Sequence, residues 1–332
     1  MPQPLISIII PVFNGESFLD NCFSNLDKQL YDNLEIIFID NNSTDQTYSR
    51  IKKYCLTRNN VQLLTCKKRG PAAARNIGLK TSLGEYITFL DVDDEILPNK
   101  FFSLLRVFEK YPSIGMACGL IEKKYDNGTS VKSDLGHLKT GVNVHPEAGL
   151  FWLQQFQHVP PINSVMYKKK IVGNKIYFPE NLFFGEDVAL NVILGLLFDV
   201  VKVDEPVGVY NRHGNSSLSQ SNRLISIEER YLQFYEKFAI PYFLKLNANN
   251  IHMLALEVSR NMAFRLRMKL LFSRKNTDSI AEFNIKDFYN INKYHLFFLL
   301  FKVLPYRYIL YIYDSFHRIT IRRLKKRLFF NK

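Results

Sequence analysis

Leu5 to Phe13 is an unbroken apolar, β-branched run, the pattern of a strand buried on both faces of a parallel sheet. Asn14-Gly15 turns the chain, and from Glu16 to Leu30 the residues Phe18, Leu19, Cys22, Phe23, Leu26 and Leu30 fall on one helical stripe. Leu34 to Asp40 predicts a second strand. Ser43-Thr44-Asp45 offers cap chemistry to a helix running to Tyr54, and Val61 to Cys66 predicts a third strand. Arg69-Gly70-Pro71 opens another helix with Pro71 in its first turn, and Tyr86 to Leu90 predicts a fourth strand ending in Asp91, Asp93, Asp94 and Glu95.

Strands alternating with helices imply right-handed βαβ units and a doubly wound, mostly parallel sheet flanked by helices. Ligands of such sheets bind at the carboxyl ends of the strands, which is where Phe13-Asn14, Asp40-Asn41-Asn42 and Asp91-Val92-Asp93-Asp94 fall. From Ile114 to Arg212 the pattern is mixed: Ile114 to Tyr125 with Asn127-Gly128 predicts a strand and hairpin, and Glu186 to Phe198 an apolar helix begun by two carboxylates. From Arg223 onward the pattern is helical and free of glycine. The expected division is a nucleotide-binding and catalytic domain over residues 1–220 and a helical, basic and aromatic extension over 221–332.

Composition narrows the class. The 332 residues are 47% hydrophobic and 23% charged, which excludes disorder, collagen and coiled coil as the main architecture. Cys22, Cys55, Cys66 and Cys118 form no CxxC pair and have no histidine at zinc-finger spacing, which fits a reducing cytoplasmic compartment. The apolar run at the N-terminus is too short for a signal peptide, and Lys302 interrupts the apolar stretch His295 to Leu304 far below the roughly 20 residues that cross a bilayer. No secretion and no membrane span are expected. The net charge of +13 is unevenly placed. Up to Gln220 there are 23 basic and 23 acidic residues; of the total of 44 and 31, the rest of the chain holds 21 and 8.

Two constellations carry candidate chemistry. Asp91 and Asp93, one residue apart at a strand end, suit a hard divalent cation that in turn binds a diphosphate, or else form a solvated acidic turn. Glu186-Asp187 either complement the positive end of a helix or supply a general base.

A resemblance bears on these alternatives. The segments Ser7-Ile8-Ile9-Ile10-Pro11-Val12-Phe13-Asn14-Gly15-Glu16, Ile39-Asp40-Asn41-Asn42-Ser43-Thr44-Asp45, Ala74-Arg75-Asn76-Ile77-Gly78, Gly84-Glu85-Tyr86 and Phe89-Leu90-Asp91-Val92-Asp93-Asp94 resemble, in order, the motifs of the inverting GT-A-fold glycosyltransferases of family 2. One departure is Asn41-Asn42, where many members have Asp-Gly. The resemblance implies a GT-A fold, a UDP-sugar donor and Mn²⁺ or Mg²⁺ as cofactor. It implies that Pro11, Phe13, Glu16, Asp40, Asn42, Arg75, Asp91, Val92 and Asp93 line the nucleotide-sugar site, with Asp40 on the nucleobase, expected to be uracil, and Asp93 on the metal. It also implies that Asp187 is the general base and Glu186 an acceptor-binding residue. His213 is a candidate metal ligand or phosphate contact, Arg212 a candidate phosphate contact, and Trp152 either an acceptor platform or part of the core.

The last third sets Phe297, Phe298, Phe301, Tyr306 and Tyr308 beside Arg318, Arg322, Arg323, Lys325, Lys326 and Arg327, the composition of an interfacial helix on an anionic membrane surface, where each cation adds about 1 kcal/mol. A helical subdomain with solvated charge is the alternative. Nucleic acid is not expected as a partner, because the first 220 residues are neutral and no known module is present. The expectation is a transferase on the cytoplasmic face of the inner membrane, acting on a lipid-linked or oligosaccharide acceptor during assembly of lipopolysaccharide, lipooligosaccharide or capsule. A nucleotidyltransferase is disfavoured, since Pro11-Val12-Phe13-Asn14-Gly15-Glu16 is no glycine-rich phosphate loop. A non-catalytic membrane scaffold on the same fold is the competing reading.

Overall fold

The computed structural model describes residues 3–133, 135–136, 138–182, 184–212, 225–246, 250–273 and 322. The chain divides into two compact units, Met1–Ser221 and Asn222–Lys332.

The first unit is built on strands β1 (Ile6–Val12), β2 (Leu34–Asp40), β3 (Val61–Thr65), β4 (Tyr86–Phe89), β5 (Glu95–Ile96), β6 (Met116–Tyr125), β7 (Ser130–Lys132), β8 (Gly141–Asn143), β9 (Val165–Lys168) and β10 (Val200–Arg212). They form one sheet in the order β3-β2-β1-β4-β9-β6-β10-β5, with β7 on β6 and β8 on β10. The β3-β2-β1-β4 half is parallel; β9 runs antiparallel between β4 and β6, and β10 is parallel to β6. Two antiparallel steps restore direction, so β6 and β10 point their carboxyl ends to the same edge as β1, β2 and β4.

The helices of this unit are α1 (Leu19–Asp27), α2 (Thr47–Cys55), α3 (Pro71–Thr81), α4 (Lys100–Lys110), α5 (Glu147–Gln154), α6 (Lys169–Val172) and α7 (Glu186–Leu197). Strand β1 is buried on both faces. Ile6, Ile8 and Ile10 join a core with Leu19 and Leu26 of α1 and Phe101, Leu104 and Phe108 of α4, the helical spacing that puts one stripe inward. Each such side chain contributes about 1.5–3 kcal/mol by leaving water. Ile9 and Ile39 face α3, which approaches so closely at Gly78 that a Cβ there would lie 2.4 Å from Ile9 Cγ2. The helix predicted from Glu16 to Leu30 is shorter than its pattern: a 3-10 turn over Glu16–Phe18 precedes α1, and Leu30, at 66% exposure, stands off the buried stripe.

In the second unit, α8 (Ile227–Phe234) starts with a capping box in which Ser226 and Glu229 satisfy each other's backbone N–H groups. A π-helical turn over Tyr235–Ala239 leads into α9 (Ile240–Lys245), and α10 (Asn250–Ser273) follows. Phe234, Tyr235, Phe238, Phe243, Leu254, Ala255 and Val258 are among its buried side chains. No helix among the described residues is long and apolar enough to cross a membrane. The aromatic and basic tail singled out above lies, apart from Arg322, outside the described residues.

Candidate active site

The loops that leave β1 and β2 are pinned to each other. Asn14 Oδ1 accepts from the Thr44 N–H (2.8 Å), the Asn14 N–H donates to Ser43 Oγ (3.0 Å), and the Gly15 N–H donates to Thr47 Oγ1 (2.9 Å). Glu16 Oε2 accepts from the Gln46 N–H (3.1 Å) while Asp45 Oδ1 accepts from the Thr47 N–H (3.0 Å), so acidic groups serve the start of α2. Asp40 ends β2 between these loops. It is 5% exposed; its Oδ2 has a long contact with the Ser43 N–H (3.4 Å), and its Oδ1 is buried with no partner. An orphaned carboxylate oxygen inside a protein is costly unless a ligand donates to it.

The two residues after Asp40 explain the departure from Asp-Gly. Asn42 has φ +64°, a left-handed conformation that asparagine tolerates better than other residues with side chains. The Asn41 amide donates to Cys66 O (3.1 Å) and Lys68 O (2.7 Å) and accepts from the Gly70 N–H (2.8 Å). An aspartate at 41 has no proton for the two carbonyls. Asn41 therefore shapes the loop that feeds α3.

Arg75 of α3 is the electrostatic centre. Its Nη2 donates to Asp91 Oδ1 (2.7 Å) and its Nη1 to Glu186 Oε1 (2.8 Å), with side-chain exposures of 5%, 36% and 14% for Arg75, Asp91 and Glu186. One buried guanidinium thus joins the end of β4 to the start of α7. Burial opposes its charge, but Asp91, Glu186 and Asp187 together raise its pKa above the ordinary value. Asp187 follows Glu186 and accepts from the Val188 N–H at 2.8 Å. Burial first, then the Glu186 carboxylate, push the Asp187 carboxyl up to about 6, against the opposing pull of Arg75. A carboxylate poised there is ionised at neutral pH and still able to take a proton.

The acidic turn is braced from the far side of the sheet. Asp94 is 3% exposed; its Oδ1 accepts from the Asn211 N–H and its Oδ2 from Asn163 Nδ2, both at 3.0 Å. Burial, together with Asp91 and Asp93, holds its pKa well above the usual carboxylate range. Asn211 Nδ2 also donates to Asp93 O (2.8 Å). Beneath lies Lys100, fully buried, donating to Thr88 Oγ1 (2.6 Å) and Asn163 O (2.8 Å), its pKa lowered to about 7 by burial. Asp91 and Asp93 supply hard oxygen donors of the kind Mg²⁺ and Mn²⁺ prefer. Among the described residues no three His, Cys, Asp or Glu side chains gather into a metal cage.

The sequence pattern of Glycosyl transferase family 2 matches residues 7–172, which is half of the 332. The chain belongs to this family. It is 46% identical over 101 residues to an uncharacterized glycosyltransferase of Haemophilus influenzae, covering 30% of this chain and 40% of that one. To the uncharacterized glycosyltransferase EpsJ of Bacillus subtilis it is 25% identical over 215 residues, 64% of this chain and 62% of that one. A Rickettsia felis glycosyltransferase matches 97% of the chain at 26% identity, but only 50% of its own length is covered. The chain thus spans between 40% and 62% of these relatives. Among solved structures, Staphylococcus aureus TarS 1-349 in complex with UDP-GlcNAc has a TM-score of 0.63 at 20% identity, with 82% of this chain and 77% of that one covered. The mannosyltransferase PcManGT of Pyrobaculum calidifontis, in complex with GDP-Man and Mn²⁺, has a TM-score of 0.56 at 14% identity over 99% and 88% of the two chains. At these identities the likeness shows the fold: a GT-A arrangement of a mostly parallel sheet and flanking helices.

The strand-end loops of this family 2 chain bring Phe13, Glu16, Asp40, Asn42, Asp91, Val92 and Asp93 to one edge of the sheet. Pro11 stays within β1, paired with Ile39, and a Cβ at Gly15 would meet Val92 at 3.1 Å. Phe13 is 48% exposed with the Arg69 guanidinium 5.4 Å from its ring centre. Trp152 requires a correction. Its indole has no exposed surface and packs in the α5–α7 contact against Gly195, so it is core and offers no platform to an acceptor. His213 lies outside the described residues. Asn76, Asn163, Phe178, Glu180 and Asn211 belong to the site's framework without having been assigned a task; Asn76 at least stood inside a segment already singled out.

Proposed function

We propose that the chain is an inverting, metal-dependent glycosyltransferase that moves a hexose or N-acetylhexosamine from a UDP-sugar to a saccharide acceptor in bacterial surface glycan assembly. The observation that carries the reading is the Arg75 cluster: Asp91 at the strand end that would meet the ribose or sugar and the Glu186-Asp187 pair are tied to one guanidinium, with Asp187 held near the pKa a base needs.

In this reading the orphaned Asp40 Oδ1 accepts the N3–H of uracil, and Phe13 flanks the nucleoside. The TarS complex with UDP-GlcNAc supports a UDP-sugar donor, and PcManGT with GDP-Man and Mn²⁺ supports a divalent cation on the same fold. Asp93 would hold that cation, with Asp91 beside it; when bound it stabilises negative charge on the departing diphosphate. Asp187 takes the proton of the acceptor hydroxyl as that oxygen attacks the anomeric carbon from the face opposite the diphosphate, which inverts the configuration. Glu186, held by Arg75, borders the acceptor side. The uneven charge of the chain, 21 basic against 8 acidic residues after Gln220, supports attachment of the C-terminal region to the cytoplasmic leaflet, where a lipid-linked acceptor resides.

The test is release of UDP from UDP-GlcNAc and UDP-galactose, with and without Mn²⁺, by the purified chain and by Asp187→Asn. Metal-dependent release that falls at least 100-fold in the variant, on the scale of a lost general base, supports the reading. No release from any UDP-sugar, or release indifferent to Asp187, sinks it and favours a scaffold.

A further inference from the structure

The stretch leading to the Glu186-Asp187 pair, from Phe178 to Gly185, forms no helix or strand among the described residues. Irregular backbone of this kind opens locally at low cost unless something holds it. Both ends of this stretch are held by two consecutive residues of α3. At the far end Arg75 binds Glu186. At the near end Asn76, only 3% exposed, binds Phe178: its Nδ2 donates to Phe178 O (2.9 Å) and its Oδ1 accepts from the Phe178 N–H (2.9 Å). The amide thus pairs with both backbone groups of one residue, as a neighbouring strand would. The remaining N–H of Nδ2 donates to Glu180 Oε1 (2.8 Å), whose other oxygen accepts from Lys68 Nζ (2.6 Å). Packing reinforces the same point. The Phe178 ring is fully buried, lies edge-on to Phe89 with centroids 4.9 Å apart, and has the Arg75 guanidinium 5.3 Å from its centre.

We propose that Asn76 is a positioning residue for the reaction: by clamping Phe178 and Glu180 to α3 it fixes the segment that delivers Asp187 to the donor site. The inference rests on Asp187 being the base. Asparagine suits the task by chemistry. Aspartate keeps the acceptor for the Phe178 N–H but has no proton for Phe178 O and sets a second carboxylate against Glu180, while glutamine is one methylene too long for the same double contact. The hydrogen bonds of Asn76 go to Phe178 and Glu180, so the clamp is expected to act on the base and to leave nucleotide binding alone.

The experiment is a double-mutant cycle on Mn²⁺-dependent UDP release from UDP-GlcNAc, using wild type, Asn76→Ala, Asp187→Asn and the double variant, with UDP affinity measured on each by titration calorimetry. Asn76→Ala is expected to lower kcat about 10- to 100-fold, the cost of displacing a catalytic group by about an ångström, with UDP affinity within about twofold of wild type. In the Asp187→Asn background its removal should cost nothing further, because both changes disable one function. An equal loss from Asn76→Ala in both backgrounds, or a loss of UDP affinity matching the loss of rate, overturns the inference. If the alanine variant folds poorly, Asn76→Asp carries the comparison: it should fail like alanine, and full activity from it contradicts the role given to the amide protons. An Asp187→Asn protein that loses no rate overturns the base assignment itself, and this inference with it, and is distinguished by appearing before Asn76 is touched.

Discussion

Replacing Arg75 by methionine keeps most of the side-chain volume and removes the charge that Asp91 and Glu186 share at 2.7 and 2.8 Å. Breaking a buried ion pair by deleting one partner costs about 3–5 kcal/mol, because the surviving charges stay desolvated. Asp91 is 36% exposed and water screens it, which lowers the expected cost to about 2–3 kcal/mol. The sign of the pH dependence follows from the same contacts. Without Arg75, which opposes the upward shift of Asp187, that carboxyl rises beyond about 6. The folded variant then binds protons more tightly than the unfolded chain, so its deficit is largest at pH 8 and shrinks as the pH falls toward 5. A rise of one unit lowers the ionised fraction of Asp187 at pH 7 from about 90% to about 50%, and the acid limb of the rate profile moves up with it. Urea unfolding followed by the fluorescence of Trp152, the one tryptophan of the chain and fully buried, measures the first effect; UDP release between pH 5 and 9 measures the second. An Arg75→Met protein with the wild-type urea midpoint and an unmoved acid limb would refute the role assigned to the cluster.

Other substitutions test other parts of the account. A carboxyl raised to about 6 destabilises the fold when ionised, so Asp187→Asn should unfold at a higher temperature than wild type at pH 8, with the difference closing near pH 4, while losing activity; a variant less stable at pH 8 would contradict the burial argument. Lys100, lowered to about 7, binds fewer protons folded than unfolded above that pH, so wild-type stability should gain up to about 1 kcal/mol per unit between pH 7 and 8.5, and Lys100→Met should flatten that slope in urea titrations. At Asn42, with φ +64°, glycine should be neutral in thermal melts and valine should cost about 1–2 kcal/mol; equal stability of the two would dismiss the left-handed strain.

Much of the first unit was legible because its chemistry is local. Strands β1 and β2 are apolar runs with every or nearly every residue buried, and Asp40 and Asp91 follow such runs directly, so the strand ends and their acidic residues can be read together. Helix α7 begins at the predicted Glu186. Strand β5 has two residues and β8 and β9 have three and four, too short for any period to register, and their antiparallel insertion into the sheet is a tertiary fact. The framework of the site was hidden for a similar reason. Asn76 and Phe178 are 102 residues apart, and nothing at either position announces the other. Lys100 falls on the same inward stripe of α4 as Leu104 and Phe108, and a lysine is tolerated there, fully buried, because Thr88 and the carbonyl of Asn163 provide oxygens that the pattern cannot register. Trp152 was ambiguous between platform and core, and the close α5–α7 approach at Gly149 and Gly195 resolves it.

The central claim is that the strand-end loops form a uridine diphosphate site completed by a divalent cation. Titration calorimetry with UDP, GDP and CDP, each with and without Mn²⁺, on wild type, Asp40→Ala and Asp93→Ala tests it most directly. The account predicts tight binding of UDP in the presence of Mn²⁺, weakened about tenfold or more in Asp40→Ala through the lost charged hydrogen bond and made indifferent to Mn²⁺ in Asp93→Ala. Binding of none of the three nucleotides, or UDP binding that ignores both Mn²⁺ and Asp40, would contradict it.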